Sequence, residues 1–358
     1  MKKVIGLFIG IGLTSLLSTS QTVIENSSKP QSKNTGRILE MVELMRITDE
    51  NKEFFFKSPS SLNLDEEGFI YLQDSDFFLK FSPEGDFLGN LYHKGQGPGE
   101  VQNLRYNIQG NTINAWDTRG HKIVFYDLDG QFLREFKLQQ HFGMTMVGHY
   151  GDFLIFYSYE MPRRKQRKGM IDINHNLLLI SKDSGTETLI NSFPIPWYVL
   201  PSSGSSYAPF YTLPSADGET LFINDSPEYR IKVVDTSTGE ILRIFTRKYK
   251  RVKAPEYPPR PGDTRPKRKF LYDINRMFRN QDRIWVRTST EEKEKGVLFD
   301  VFSPDGQYLD SFFIPKEVGF LHIWGDILFA RNQDEEDNYV VVKYKIQNGP
   351  QIPMKNQS

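Results

Sequence analysis

A polar turn that ends in glycine recurs along this chain, each time between two runs of alternating apolar residues. Five copies can be aligned, the last of them weaker: FSPEGDFLGNL (81–91), YDLDGQFLREF (126–136), DTSTGEILRIF (235–245), FSPDGQYLDSF (302–312) and SKDSGTETLINSF (181–193). Glycine supplies the positive φ that tight hairpin turns of this kind require. Each copy is therefore predicted to be a β-hairpin. The predicted structural turn glycines are Gly85, Gly130, Gly239 and Gly306.

A second pattern, an alternating strand, precedes the hairpins. Its six members are GFIYLQDS (68–75), NTINAWDT (111–118), DFLIFYSY (152–159), ETLFINDS (219–226), DRIWVRTS (282–289) and DILFARNQ (326–333). Their starts lie 43, 41, 67, 63 and 44 residues apart. A unit of about 40–45 residues with four strands is typical of a propeller blade, and the two long intervals then contain insertions of about 20 residues. The sequence predicts an all-β fold, a six-bladed β-propeller of four-stranded antiparallel blades over residues 37–346.

The sixth blade lacks an outer strand of its own, because only a polar tail (347–358) follows DNYVVVKYKI (337–346). The segment RILEMVELMRI (37–47) can supply that strand from the other end of the domain, which would close the ring and protect the sheet edges. An amphipathic helix is the alternative, since Ile38, Val42 and Met45 are spaced near a helical period.

The first 20 residues have the pattern of a secretory signal peptide. Two lysines precede an apolar run (4–17), and small residues (18–20) form a cleavage region. An uncleaved anchor is the alternative, although the run is shorter than the roughly 20 residues that span a bilayer. Residues 21–36 are polar and predict a flexible linker. We therefore expect export to the periplasm or the outside, with no stable membrane span after cleavage. The absence of cysteine excludes a lipid-modified N-terminus of the bacterial lipoprotein kind.

The stretch GFIYLQDSDFFLKFSPEGDFLGNLYHKGQGPGE (68–100) resembles the NHL-type repeats of six-bladed propellers, which are abundant among exported bacterial proteins. The resemblance is closest over 64–136. It implies the fold strongly and the activity hardly at all, because propellers carry many unrelated functions. Some six-bladed relatives are gluconolactonase-type hydrolases or lyases that bind a divalent metal at the channel mouth. The resemblance therefore implies an alternative in which aspartates reach such a site, with Asp74, Asp76, Asp117 and Asp225 as candidates.

The aspartates also have a structural interpretation. Asp74, Asp117 and Asp225 each end a second strand and precede Ser or Thr. An aspartate there can accept hydrogen bonds from the backbone of the following turn. Recurrence in three blades favours this turn role over catalysis.

The glycine-rich stretch KGQGPGE (94–100) is predicted to connect two blades. A P-loop would end in Gly-Lys-Ser or Gly-Lys-Thr, and a dinucleotide fingerprint would lead into a helix. Here Pro98 and the strand-like NLRYNI (103–108) follow instead.

Each blade is expected to run as strands A to D from the central channel outward. The B–C and D–A connections then lie on one face, here called the loop face, and the A–B and C–D turns lie on the other, the turn face. Three insertions fall on the loop face: the B–C loop 162–169, the blade 3–4 connection 194–214 and the basic blade 4–5 connection 246–269. Long loops on a rigid scaffold commonly carry binding. A solvated loop without a ligand is the alternative for the basic segment.

Cations next to aromatic rings on this face suit an anionic or sugar-like ligand. The candidate ligand-binding residues are Lys94, Arg119, Arg163, Arg164, Lys165, Arg167, Trp197, Tyr198, Tyr207, Lys248, Lys250 and Arg251.

The charge balance and the motifs lead to an expectation about function. Lysine plus arginine and aspartate plus glutamate both number 45, so no bulk attraction to nucleic acid is indicated. No catalytic constellation, metal motif or cofactor motif is recognisable. We expect a monomeric exported binding or scaffold protein, not an enzyme, that recognises a peptide, glycan or partner protein through the loop face. The alternative is the metal-dependent hydrolase or lyase, which would require a divalent ion.

Overall fold

The computed structural model describes residues 22–48, 54–75, 77–139, 143–159, 169–199, 204–256 and 266–350, and every regular element in these ranges is a β-strand. Three strands precede the blades: β1 (Thr22–Asn26), β2 (Arg37–Ile38) and β3 (Met41–Ile47). Blades 1 and 2 comprise β4 (Pro59–Leu64), β5 (Ile70–Asp74), β6 (Phe77–Phe81), β7 (Phe87–Asn90), β8 (Leu104–Gln109), β9 (Thr112–Asp117), β10 (Lys122–Asp127) and β11 (Phe132–Lys137).

The remaining four blades follow in chain order. Blade 3 comprises β12 (Thr145–Tyr150), β13 (Phe153–Tyr159), β14 (Gly169–Ser181), β15 (Glu187–Val199) and the short β16 (Gly204–Ser206). Blade 4 comprises β17 (Tyr211–Pro214), β18 (Thr220–Asn224), β19 (Arg230–Asp235) and β20 (Ile241–Arg247). Blade 5 comprises β21 (Ile274–Asn280), β22 (Arg283–Glu292), β23 (Gly296–Phe302) and β24 (Tyr308–Ile314). Blade 6 comprises β25 (Gly319–Trp324), β26 (Ile327–Gln333) and β27 (Tyr339–Ile346).

Six sheets confirm the predicted six-bladed propeller, and within each sheet the strands from β4 to β27 pair antiparallel with their neighbours in chain order. The predicted hairpin turns join the third and fourth strands, and their glycines have φ values of +97°, +80°, +73° and +85° at Gly85, Gly130, Gly239 and Gly306. At Gly306 a Cβ atom would also lie 2.8 Å from Phe245 of the neighbouring blade. Close contact between blades therefore adds to the turn requirement at this position.

The hydrophobic core is divided among the blade interfaces. Each of six clusters of buried side chains joins two neighbouring blades. The cluster around Phe329 and Val341 of blade 6 includes Leu72 and Phe81 of blade 1, so the first and last blades pack together like the others. The second strands are buried on both faces, as Ile70–Asp74 illustrates. Burial between two blades explains why these strands contain consecutive apolar residues.

The N-terminal segment runs along the outer edges of three blades. Strand β3 pairs antiparallel with β27 and is the outermost strand of blade 6, so this stretch is a strand and not a helix. Strand β2 pairs in parallel with β24 of blade 5, and β1 pairs in parallel with β20 of blade 4. We call residues 22–47 the N-terminal strap.

The strap differs from the expected flexible linker at 21–36. Besides the β1 pairing, the Asn26 side chain donates to the carbonyls of Thr246 (2.9 Å) and Gly306 (2.8 Å), which belong to different blades. Backbone amides of Gln31 and Ser32 donate to the outer strand of blade 5. The polar composition that predicted a linker instead satisfies exposed strand edges, whose backbone groups need hydrogen-bond partners. The start of the tail contacts the strap in the same way, since the Asn348 side chain bonds to the backbone of Ile38 and Glu40.

Candidate functional site

The loop face of blade 3 projects beyond the rest of the ring. Strands β14 and β15 each have 13 residues, and their register continues to Gly169↔Val199, past the point where β13 ends. Trp197 and Tyr198 therefore lie on a strand, and the expectation that 194–199 belongs to a blade connection is wrong. The reason is that the insertion lengthens the third and fourth strands of blade 3 and adds β16 beside β15, so that these strands satisfy one another's backbone hydrogen bonds.

Trp197 packs toward an aromatic cluster and does not form an open stacking surface. Its ring centroid lies 5.4 Å from that of Tyr159 and 6.3 Å from that of His175. His175 stacks on Tyr159 at 5.0 Å and contacts Phe210 at 4.7 Å. His175 is 5% exposed, and among the described residues neither of its ring nitrogens has a hydrogen-bond partner. Burial lowers the pKa of His175 to about 4, so the ring is neutral near neutral pH.

We expect His175→Phe to stabilise the protein. Two buried, unpartnered nitrogens cost about 1–3 kcal/mol, and phenylalanine keeps the ring stacking. The folded-state pKa is below the usual value for histidine, so the unfolded chain binds more protons and stability falls as pH falls from about 6.5 to about 4. At pH 5 this linkage amounts to about 2 kcal/mol. Urea unfolding at pH 7 and pH 5 measures both effects.

The exposed His93 provides the control for this experiment. His93→Phe is expected to change stability by less than about 0.5 kcal/mol at either pH. A destabilised His175→Phe variant, or one with unchanged pH dependence, would show that the imidazole has partners in solution.

The basic connection between blades 4 and 5 is partly committed to internal contacts. The Arg251 Nε bonds to Asp273 at 2.9 Å, its Nη1 lies 3.5 Å from Glu228, and its Nη2 donates to the carbonyl of Pro227. Two carboxylates therefore already lie beside the Arg251 charge, and its role as a ligand contact stays a prediction. Lys248 and Lys250 are exposed on the same segment.

Tyr207 lies beside the far end of this connection. Its hydroxyl donates to the carbonyl of Pro266 at 2.8 Å, and the Arg268 guanidinium lies 5.2 Å from its ring centroid. Its ring is 6.3 Å from that of Tyr198, so these two predicted residues are brought together.

The glycine-rich stretch lies between β7 and β8, as predicted, and its amides are occupied by the protein's own carboxylates. The Gly97 amide donates to Glu100 (2.8 Å) and the Gly99 amide donates to Glu135 (2.9 Å). Lys122 binds both the Gly97 carbonyl and Glu135, each at 2.8 Å. A phosphate would have to displace two carboxylates here.

Four predicted residues, Arg163, Arg164, Lys165 and Arg167, lie outside the described residues, as does Asp76. Lys94 is exposed in the blade 1–2 connection and forms an isolated bridge with Val101. Arg119 is exposed in the second-to-third strand turn of blade 2, where its amide donates to Asp117 at 3.1 Å. These positions remain predictions as ligand contacts.

The three recurring aspartates are buried and have different partners. Asp117 accepts from the amide of Arg119 in the following turn, as expected, and also from Gln102 and Asn103. Asp74 accepts hydrogen bonds from the amides of Lys57 and Ser58, both at 2.6 Å. It therefore fixes the backbone directly before the first strand of its own blade. The turn interpretation is wrong for Asp225, which forms ion pairs with Arg230 (3.3 Å) and Lys232. A carboxylate that close to two cations pairs with them rather than with turn amides.

A cavity of about 440 Å³ occupies the central channel. It is lined by the first strands of blades 1, 3, 4, 5 and 6, through residues such as Asn63, Thr145, Thr212, Arg276 and His322. Arg279 also lines it and donates to the carbonyl of Ser215 at 2.7 Å, on the turn-face side. Burial lowers the pKa of His322 to about 4, so His322 is neutral at neutral pH. Among the described residues that line this cavity, the charged side chains are therefore arginines.

A second cavity, of about 380 Å³, opens between blades 5, 6 and 1 on the loop-face side. It shares Arg276, Phe278 and Leu321 with the channel cavity. Arg287, Lys316 and Arg331 add three more cations to its lining. Among the described residues that line these two cavities, there is no aspartate or glutamate.

Arg276 and Arg287 lie directly opposite each other across the β21–β22 pair. A β-bulge between Ile274 and Arg276 leaves both Asn275 and Arg276 exposed, and bulges commonly redirect a side chain in this way. Although the side chain is accessible to solvent, partial desolvation at the cavity wall and the charge of Arg287 both lower the pKa of Arg276. Within the described chain, neither guanidinium forms an ion pair or a hydrogen bond. By contrast, Arg331 donates to the carbonyl of Pro59 (3.1 Å) and Lys316 pairs with Glu291 (2.6 Å).

This cationic pair was missed by reasoning from the sequence. Arg287 lies in the repeat copy 282–289, which was considered only as a strand, and Arg276 lies in the strand before it. The sequence did contain a signal for Arg276. It lies in a first strand, which faces the channel, and a cation there has few protein neighbours. The predicted cationic contacts lay instead in loops with runs of charge.

The described residues also bear on metal binding and membrane crossing. Within the described ranges, no cluster of three or more histidine, aspartate or glutamate side chains has the geometry to hold a metal ion. The same part of the chain contains no helix with the length and apolar character needed to cross a bilayer.

Comparison with solved structures supports the ring architecture. A candidate exported protein from Bacteroides fragilis superposes with a TM-score of 0.55 at 16% identity, covering 91% of this chain and 100% of that chain. A member of the DUF4221 family from Bacteroides vulgatus superposes with a TM-score of 0.54 at 13% identity, covering 87% and 99%. At these identities the similarity shows the fold alone.

Comparison with protein families assigns the chain more closely. No curated protein matches it. The DUF5128 family, described as a six-bladed β-propeller, matches residues 18–279, which is more than half of the sequence. The repeat resemblance to NHL proteins remains a prediction beside this match. The chain belongs to the DUF5128 family of six-bladed β-propellers.

Proposed function

We propose that this propeller is an exported, non-enzymatic binding protein that holds an acidic ligand at the loop-face end of its channel. The observation that carries the proposal is the lining of the two adjoining cavities, where the described charged side chains are cations and no carboxylate is present. Lysine plus arginine equals aspartate plus glutamate over the whole chain, so this is a local concentration of charge. The signal-peptide pattern and the candidate exported neighbour support export.

Keeping Arg276 and Arg287 together has an energetic cost. Like charges directly opposite each other in an antiparallel pair destabilise by a few tenths to about 1 kcal/mol. A guanidinium has five donors that normally find acceptors, yet these two find none among the described residues. A bound carboxylate, sulfate or phosphate would neutralise the repulsion and accept those hydrogen bonds in a bidentate manner.

The channel walls increase the effect of these charges. A cleft that is lined by one sign of charge and by apolar walls focuses its field and attracts the opposite charge. The exposed Lys248 and Lys250 on the loop face would add long-range attraction without direct contact. The peptide, glycan or partner protein would then present its acidic group to the channel mouth.

Arg276→Gln should weaken anion binding and leave the fold intact. Citrate at constant ionic strength is a suitable probe, because it carries several carboxylates and can be titrated calorimetrically. We expect Arg276→Gln and Arg287→Gln each to weaken citrate affinity by about tenfold or more. Each should also raise the free energy of unfolding slightly, by up to about 1 kcal/mol, because the like-charge contact is removed.

Arg243→Gln is the matched control, since Arg243 lies on the outer strand of blade 4 and its nearest ion-pair partner is 3.8 Å away. It should bind citrate like the wild type. The proposal is rejected if citrate and phosphate do not bind the wild type, or if Arg243→Gln loses as much affinity as Arg276→Gln.

A further inference from the structure

We infer that the acidic ligand is a sugar acid in its ring form, a uronate unit of a glycan, rather than an acidic peptide. The inference rests on the proposed function, because it assigns the ligand of the same cavities. Its basis is an aromatic group beside the cationic pair. Phe278 and Phe320 have ring centroids 4.1 Å apart, Phe299 and Phe320 have centroids 5.7 Å apart, and all three line the second cavity.

The cations and the rings are adjacent. The Arg276 guanidinium carbon lies 4.9 Å from the centroid of Phe278, and Phe278 lines both cavities. Phe278 and Phe320 remain partly accessible, whereas Phe299 is buried beneath them. A ligand whose carboxylate lies between Arg276 and Arg287 must therefore place its next atoms against an aromatic surface. A pyranose ring has an apolar face that suits such a surface, whereas an extended acyclic acid does not cover it.

Polar groups for hydroxyls are available on the other side. Asn63, Thr145, Thr212 and Tyr211 line the channel cavity and present amide and hydroxyl groups. The first strands supply these residues, and their backbones already pair with the second strands. The site thus combines a cationic end, an aromatic wall and a neutral polar wall.

A peptide has less to bind in this place. Peptides are commonly recognised by adding a strand to a free sheet edge, by laying a helix in a groove or by placing proline-rich turns on aromatic grooves. The first strands that line the channel are paired on one side only, so strand addition there is limited by the room that the cavity offers. Volumes of about 440 and 380 Å³ lie in the range of small-molecule pockets.

The experiment compares five probes on the mature protein by calorimetric titration at constant ionic strength. Glucuronate and galacturonate carry the ring and the charge, glucose carries only the ring, gluconate carries the charge and hydroxyls without the ring, and tetraglutamate represents an acidic peptide. We expect at least one uronate to bind about tenfold more tightly than glucose, gluconate and tetraglutamate. Its trimer should bind at least as well.

Two variants separate the ring contribution from the charge contribution. Phe278→Leu keeps apolar volume but removes the aromatic face, so uronate affinity should fall toward that of gluconate while gluconate affinity stays within about twofold. Phe320→Leu tests the same point if Phe278→Leu does not fold, as judged by circular dichroism. Arg276→Gln should weaken both acids.

The outcomes distinguish this inference from the proposed function. If gluconate or tetraglutamate binds as tightly as the better uronate, or if neither leucine variant affects uronate binding, the sugar-acid inference is rejected and the anion site stands. If no acid binds the wild type, both are rejected.

Discussion

Arg247→Met is expected to lower the free energy of unfolding by about 3–5 kcal/mol, because it leaves the carboxylate of Asp300 buried without its cation. Asp300 is fully buried, and Arg247 Nη1 lies 3.0 Å from it. The hydroxyls of Tyr229 and Tyr308 also donate to Asp300, each at 2.7 Å. The three donors come from blades 4 and 5, so this cluster connects two blades across their interface.

Several aromatic rings surround the same guanidinium. The Arg247 guanidinium carbon lies 5.2, 5.0 and 4.8 Å from the ring centroids of Tyr229, Tyr249 and Tyr308. Burial raises the pKa of Asp300, although Arg247 and the two tyrosine hydroxyls oppose that rise. Removing the cation therefore costs more than one ion pair, since a desolvated charge and three ring contacts lose their partner.

Arg243→Met is the matched control on the same strand, because its partner Asp305 is 81% exposed and lies 3.8 Å away. A surface pair of this kind contributes about 0–1 kcal/mol. The double variant Arg247→Met/Asp300→Leu should recover part of the loss, since no charge is then left buried. Equilibrium urea unfolding measures all three. An Arg247→Met variant as stable as Arg243→Met would contradict this account of the interface.

Removing the whole N-terminal strap should abolish cooperative folding, whereas removing its first part should not. A chain that begins at residue 48 lacks β3, so β27 loses its antiparallel partner and blade 6 has an open edge. It also lacks Leu39 and Ile47, each 2% exposed, which pack in the clusters on either side of blade 6. Burial of each of these side chains contributes about 1.5–3 kcal/mol.

A chain that begins at residue 39 is the control for that truncation. It keeps β3, Leu39 and Ile47, and loses the parallel strands β1 and β2 with the Arg37–Asp310 pair (2.8 Å). We expect this chain to fold with a lower thermal midpoint. Circular dichroism melting and size-exclusion chromatography compare the two chains. Equal midpoints would mean that β3 is not needed to close the ring.

Much of the fold could be predicted because its signals are local. The turn at Gly306 and the alternation in 282–289 are visible in short stretches, and six similar stretches at blade-sized spacing imply six blades. The stretch 37–47 carried a strand signal and a helical signal together. The unpaired edge of β27 favours the strand, because an edge supplies the backbone partners that a strand needs.

The candidate site was predicted less well, because its chemistry depends on which charged side chains form ion pairs within the protein. Arg251 and Arg276 are both arginines near the blade 4–5 boundary, and nothing in their neighbouring residues distinguishes them. Arg251 folds onto Asp273, which is 22 residues away, while Arg276 faces Arg287. Trp197 likewise resembles a loop aromatic in the sequence but packs with His175 and Tyr159 in the structure.

The sequence by itself determined the number of blades and the hairpins within them, because turn glycines and apolar alternation act over a few residues. Only the tertiary structure decided which cations remain unpaired, and where aromatic rings line a cavity. The physical reason is that ion pairing and cavity lining depend on distances between blades, and those distances exist only once the ring has closed.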